Sequence, residues 1–175
     1  MKKYIPVILY PYIFLIGLLF IMGVNQIPDS VIAPDVRPIF LLGTVGFIIL
    51  YTLVCGLLAI IYALALLSEK HSVEEVARIN RFIKCAQIPG YVLNFAIGLL
   101  CAITIFTMGF TFVVIVIDCC AIAMTGLIGA VTCYRLHKEN KLSGTGAILS
   151  AVWSFVFCVD VFVSLILCGK SKKIK

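Results

Sequence analysis

Long apolar runs without a charged side chain limit most strongly how this chain can fold. Residues 5–24 and residues 39–67 contain no charge at all, and a helix needs about 20 apolar residues to cross the hydrocarbon core of a bilayer. Of the 175 residues, 63% are hydrophobic and 13% are charged, whereas soluble domains have about 45–50% and about 25%. The sequence therefore predicts an all-α, polytopic transmembrane helical bundle.

The apolar runs predict about five spans within a single membrane domain, residues 1–175. The charge-poor stretch 89–134 is about 69 Å long as a helix, which is enough for two crossings joined by a turn near residues 107–109. The predicted spans are residues 5–24, 39–67, 89–108, 111–134 and 145–168. The first is longer than the apolar core of a signal peptide and has no small-residue cleavage site after it, so we interpret it as an uncleaved anchor.

Residues 72–87 are predicted to form a separate amphipathic helix in the cytoplasmic interface. Ser72 and Glu75 have the spacing of a capping box, and apolar residues then recur at helical spacing. Arg78, Arg81 and Lys84 lie away from them and form a candidate basic face. We expect this face to contact anionic lipid headgroups, with a soluble cytoplasmic partner as the alternative.

The distribution of lysine and arginine favours a cytoplasmic N-terminus, because such residues concentrate in cytoplasmic loops. With five crossings, the lysine tail at residues 170–175 falls on the opposite side. A four-crossing alternative, with half of residues 89–134 re-entrant, brings the tail inside but leaves Arg135, Lys138 and Lys141 outside. Charge counting does not separate the two arrangements, and span length favours five.

Two carboxylates lie within predicted spans, where an ionised side chain costs about 2.5–3.5 kcal/mol on insertion scales and suggests a function. Asp118 and Asp160 are equally far from Glu139 in the joining loop, so we expect them at the same depth. The stripes of small residues on the two helices do not indicate that the two carboxylates face each other. Asn94, near the start of the third span, is expected to donate an interhelical hydrogen bond. Asp118, Asp160 and Asn94 form the candidate intramembrane polar site.

No catalytic, cofactor or metal site is predicted. The eight cysteines form no C-x-x-C pair, and we interpret them as small apolar side chains. Residues 157–160, FCVD, faintly resemble the second Asp motif of lipoprotein signal peptidase, an intramembrane aspartyl hydrolase. The Asn and Arg that accompany the first Asp of that family are missing around Asp118, so we do not predict an enzyme.

Residues 81–89, RFIKCAQIP, and residues 153–161, WSFVFCVDV, resemble segments of uncharacterised bacterial multi-pass membrane proteins. The resemblance implies an inner-membrane location and no known activity. Basic residues lie in loops and the tail, so nucleic acid is not an expected partner. Two functions remain: an accessory or structural protein that binds lipid, other membrane proteins or a soluble cytoplasmic partner, and, as the alternative, a small transporter or permease component that uses its Asp residues for proton or cation coupling.

Overall fold

A computed structural model of the chain describes residues 2–24, 26–103, 108–156 and 158–172. These residues contain helices and no strand. A short 3₁₀ turn, Lys2–Tyr4, leads into the first α-helix. The α-helices are α1 (Ile5–Val24), α2 (Arg37–Leu67), α3 (Val73–Ala102), α4 (Met108–Lys138), α5 (Gly144–Trp153) and α6 (Val159–Ser171).

Four of these helices, α1 to α4, are long and apolar enough to cross a membrane. With 10 and 13 residues, α5 and α6 are about 15 Å and about 20 Å long, short of a hydrocarbon core of about 30 Å. The described residues therefore contain four helices of spanning length, whereas the sequence predicted five spans. Residues 145–168, predicted as one span, form two short helices.

The backbone conformations of Ser154 and Cys158 separate α5 from α6. The N–H of Ser154 bonds back to the carbonyls of Ser150 and Ala151 and ends α5. Cys158 then has φ 64°, a left-handed value that few non-glycine residues adopt, and α6 begins at the next residue. Between residues 147 and 168 no Gly or Pro marks this break, which is why the sequence predicted a continuous helix.

The two short helices form a hairpin that returns to the end of the bundle where it starts. Lys141, before α5, donates to the carbonyl of Ser171, at the end of α6, over 2.8 Å. An apolar cluster also joins α6 to the start of α3, the end of α4 and α5; it comprises Val73, Cys133, Leu136, Leu142, Ala147, Val163 and Leu167. We call this end, where α1 and α3 begin and α2, α4 and α6 finish, the basic end, and the other the opposite end.

Residues 72–87 belong to α3 and are not a separate interfacial helix. The hydroxyl of Ser72 accepts from the N–H of Glu75 over 3.2 Å, so the predicted N-cap is confirmed. The helix then continues through Pro89 to Ala102. The predicted third span, 89–108, is thus the second half of a 30-residue helix, and its residues 104–107, with part of the predicted turn, lie outside the described residues.

Gly129 allows α4 to approach the bend between α5 and α6. A Cβ atom there would lie 2.8 Å from the Ser154 hydroxyl and 2.9 Å from its Cβ, too close for either atom to stay in place. We predict that Gly129→Ala lowers the free energy of unfolding by about 1–3 kcal/mol, measured by unfolding the purified protein in detergent micelles. The control is Gly46→Ala, whose new Cβ has nothing within 4 Å.

The control variant should be neutral or up to about 1 kcal/mol more stable, because alanine is the better helix former. Equal stability of the Gly129 and Gly46 variants would contradict the close packing of α4 against the hairpin bend.

Candidate functional site

Five polar side chains follow one another along the buried face of α3. Asn80, Lys84, Gln87, Tyr91 and Asn94 recur every three or four residues, which places them on one side of a helix. None is more than 5% exposed. We call these five residues the polar stripe, and it extends about 21 Å along the helix. The sequence contained this pattern, but the stripe was missed because its first half was assigned to an interfacial helix.

Lys84 and Asp160 form a buried ion pair between α3 and α6. The Lys84 ammonium donates to Oδ2 of Asp160 over 2.8 Å and to the carbonyl of Ser154 over 3.2 Å. Both charged side chains are 0% exposed. The carbonyl of Ser154 is among those that a helix end leaves without an intrahelical partner. One ammonium group therefore neutralises the carboxylate and satisfies the backbone at the hairpin bend.

Lys84 is consequently not part of the predicted interfacial basic face. Arg78 is exposed and Arg81 is half-buried, and both lie near the basic end. Lys84 lies one turn further into the bundle, and its side chain contacts α6. The prediction failed because α3 packs against α1, α4 and α6, so its buried face is wider than that of a helix lying on a membrane surface.

Some polar atoms around this ion pair have no hydrogen-bond partner among the described residues. They are Oδ1 of Asp160 and both amide atoms of Asn80, all of them buried. Asn80 lies one turn from Lys84 toward the basic end. An unsatisfied buried polar group costs about 1–3 kcal/mol. This part of the stripe therefore contains buried polar atoms that do not stabilise the fold. Such atoms are common at functional sites.

Gln87, in the middle of the stripe, forms a hydrogen bond to α1 close to a proline. Pro11 has no N–H to donate to the carbonyl of Val7, four residues before it. The amide of Gln87 donates to this carbonyl over 2.8 Å, and its oxygen accepts from the Tyr91 hydroxyl over 2.9 Å. The stripe thus supplies the hydrogen bond that the proline removes from α1.

At the far end of the stripe, Asn94 donates to Oδ1 of Asp118 over 2.8 Å. This bond joins α3 to α4, so the interhelical hydrogen bond expected of Asn94 is present. Oδ1 of Asn94 is buried and accepts no hydrogen bond from any described residue. Asp118 is half-buried, and it forms no ion pair with any described residue.

The two carboxylates do not lie at the same depth. Asp160 is level with Lys84 and Asp118 is level with Asn94, ten residues further along α3, which is about 15 Å. The expectation of equal depth was wrong because α6 turns back at the hairpin bend instead of continuing α5. The structure brings each carboxylate to α3, and the two have different partners.

Arg135 closes the end of α2, a role that the sequence analysis missed. It is 5% exposed and donates to the carbonyls of Leu66, Leu67, Ser68 and His71. A guanidinium group suits the end of a helix, where carbonyls lack partners and the dipole is negative. Nearby, a hydrogen bond from Lys138 to Glu69 lowers the pKa of that carboxyl.

The described residues contain no group of three or more His, Cys, Asp or Glu side chains placed to hold a metal ion. Four of the eight cysteines are buried: Cys55, Cys101, Cys133 and Cys168.

Fold and site together define an all-helical protein with four helices of membrane-spanning length and a polar stripe on the third. The chain belongs to a family described as "Family of unknown function (DUF6652)", which matches residues 1–173. Comparisons with curated proteins and with solved structures gave no match. The description of this family names no activity.

Removing one partner of the buried ion pair should be far more harmful than removing both. We predict that Lys84→Met lowers the free energy of unfolding by about 3–5 kcal/mol, because Asp160 stays buried without a cation. The double variant Lys84→Met/Asp160→Leu should recover most of this loss. Thermal and chemical unfolding in detergent micelles measure both effects.

Lys170→Met, which removes an exposed charge from α6, is the matched control and should change stability by no more than about 0.5 kcal/mol. A Lys84 variant as stable as this control would show that the ion pair does not hold the hairpin.

Proposed function

We propose that this chain is a multi-pass protein of a bacterial inner membrane, with α1 to α4 as spans and the α5–α6 hairpin as a re-entrant segment. Large apolar side chains are exposed along the whole of α2, among them Leu42 at 75%, Leu53 at 66% and Leu64 at 61%. Monomeric soluble proteins rarely expose such continuous apolar surface. Non-helical backbone at membrane depth requires protein cover, and Lys84 covers the carbonyl of Ser154.

The same arrangement supports a cytoplasmic location for the basic end. Among the described residues, every lysine and arginine except Arg37 and Lys84 lies at that end. Arg37 lies at the opposite end and Lys84 is inside the bundle. Cytoplasmic loops carry the excess of basic residues in membrane proteins. A re-entrant hairpin therefore removes the charge conflict that both sequence-based arrangements contained.

This topology predicts that both termini are cytoplasmic. An epitope tag at the C-terminus should be protected from added protease in intact spheroplasts and digested after lysis. The same tag inserted after Asp35, in the loop between α1 and α2, should be digested in intact spheroplasts. Digestion of the C-terminal tag in intact spheroplasts would mean that α5 and α6 cross the membrane after all.

For the activity, we propose a small transporter or permease component. The observation that carries this proposal is the polar stripe, with an ion pair at a broken helix and unpartnered polar atoms beside it. Polar side chains facing the interior of a membrane bundle typically mark substrate or ion pathways. Discontinuous helices supply backbone carbonyls and helix ends for ion sites near the bilayer midplane.

In this mechanism Asp160 is the coupling residue and Lys84 is its resident cation. Oδ1 of Asp160 has no hydrogen-bond partner among the described residues, so it is the acceptor for an incoming proton or monovalent cation. Such a cation competes with the Lys84 ammonium for the carboxylate and weakens the contact that holds the bend. The hairpin is then less firmly held against α3, and this loosening couples ion binding to movement.

An accessory or structural role is the second candidate, because both side chains of the ion pair are 0% exposed. In that role the pair only pins α6 to α3, and apolar replacements can substitute for it. The double variant Lys84→Met/Asp160→Leu separates the two roles, since it keeps the packing and removes the charges.

The transport test uses proteoliposomes with the wild-type protein or the folded double variant. A trapped pH-sensitive dye reports proton entry driven by a potassium diffusion potential, and radioactive sodium reports cation uptake. We expect flux of one of these ions above that of empty liposomes, and its loss in the double variant. Flux equal to that of empty liposomes, with folded wild-type protein, would contradict transport and leave the accessory role.

A further inference from the structure

A cavity of about 220 Å³ lies between α3 and α4 and contains the far end of the polar stripe. Its lining includes Asn94, Asp118, Thr111, Ala102, Val114 and Ile115. Most of the lining residues are apolar, and the Thr111 hydroxyl is occupied by its hydrogen bond to the carbonyl of Gly98. The chemistry of the cavity is therefore set by Asp118 and Asn94.

The Asp118 carboxylate and the Asn94 side-chain oxygen can accept more hydrogen bonds than they receive. The carboxylate of Asp118 receives one hydrogen bond, from the Asn94 amide, and has no cation within ion-pair distance among the described residues. Oδ1 of Asn94, in a residue only 1% exposed, is buried and has no hydrogen-bond partner in the part of the chain that the structure describes. Asp160, by contrast, has the Lys84 ammonium. A ligand for this cavity must supply N–H donors and a positive charge.

We propose that the cavity binds an organic ammonium ion with a small apolar body. The ammonium group donates to the Asp118 carboxylate, while the body packs against Val114 and Ile115. Ligand sites commonly combine apolar walls with a few placed polar groups. A divalent metal ion suits the cavity poorly, because Ca²⁺ takes six to eight oxygen ligands. The volume equals that of about seven water molecules, which fits an amine with one ring.

This inference rests on the proposed transport function for its role, since it names the chemical class of the substrate. Binding itself requires only the cavity and the carboxylate. A binding measurement on the detergent-solubilised protein is therefore independent of flux: binding without flux would refute transport and leave the amine site in place, whereas flux without amine binding would refute the site alone.

Benzylamine is the probe, and benzyl alcohol, of nearly the same shape and without charge, is its control. Equilibrium dialysis against the purified full-length protein in micelles measures both affinities. We expect benzylamine to bind at least about tenfold more tightly than benzyl alcohol, since 1.4 kcal/mol of ionic interaction corresponds to tenfold. Asp118→Asn should remove this preference, and Asp35→Asn, in an exposed loop, should keep it.

A second variant tests the proposal if Asp118→Asn does not fold. Ala102→Phe leaves the carboxylate in place and adds a ring at the wall of the cavity, so it should weaken benzylamine binding by filling space. Equal affinity for the two probes in the wild-type protein would overturn the proposal. So would unchanged benzylamine binding in either cavity variant.

Discussion

The ion pair between Lys84 and Asp160 is the contact on which the arrangement of the last third of the chain depends. Neither α5 nor α6 is long enough to cross a bilayer, and the described part of the bend between them has only turn-type backbone hydrogen bonds, such as Phe155 to Val152 and Val156 to Trp153. The Lys84 ammonium binds the carboxylate at the start of α6 and the carbonyl of Ser154 at the end of α5. It thereby fixes the depth of the bend and returns α6 to the basic end, where Lys141 meets Ser171.

Much of the fold follows from charge-free runs in the sequence. The bounds of α1 and most of α2 and α4 agree with three predicted spans, because nothing interrupts their apolar residues. The first half of α3 was assigned differently because its charges are typical of a surface helix, and only tertiary packing shows that Lys84 is buried. The hairpin bend could not be predicted, since its cause is a partner 76 residues away and no Gly or Pro marks it.

Part of the candidate site could be predicted from the sequence. Asp118, Asp160 and Asn94 stand out as polar residues among apolar ones, and Asn94 does donate between helices. Their arrangement depends on α3, whose stripe gives the carboxylates two different environments. Asp160 has a cation and lies beside the broken helix, while Asp118 has only an amide donor and faces a cavity. The polar stripe on α3 thus meets a carboxylate paired with a cation at one end and a carboxylate bonded only to an amide at the other.

The separation of Lys84 and Asp160 along the chain also has a consequence for biogenesis. At ribosomal speeds of about 5–20 residues per second, Asp160 is synthesised about 4–15 s after Lys84. During that interval the Lys84 ammonium on α3 lacks its carboxylate, and the long lysine stem allows the ammonium to reach polar surroundings outside the bundle. The contact between α3 and α6 therefore forms late in synthesis, after nearly the whole chain has been made.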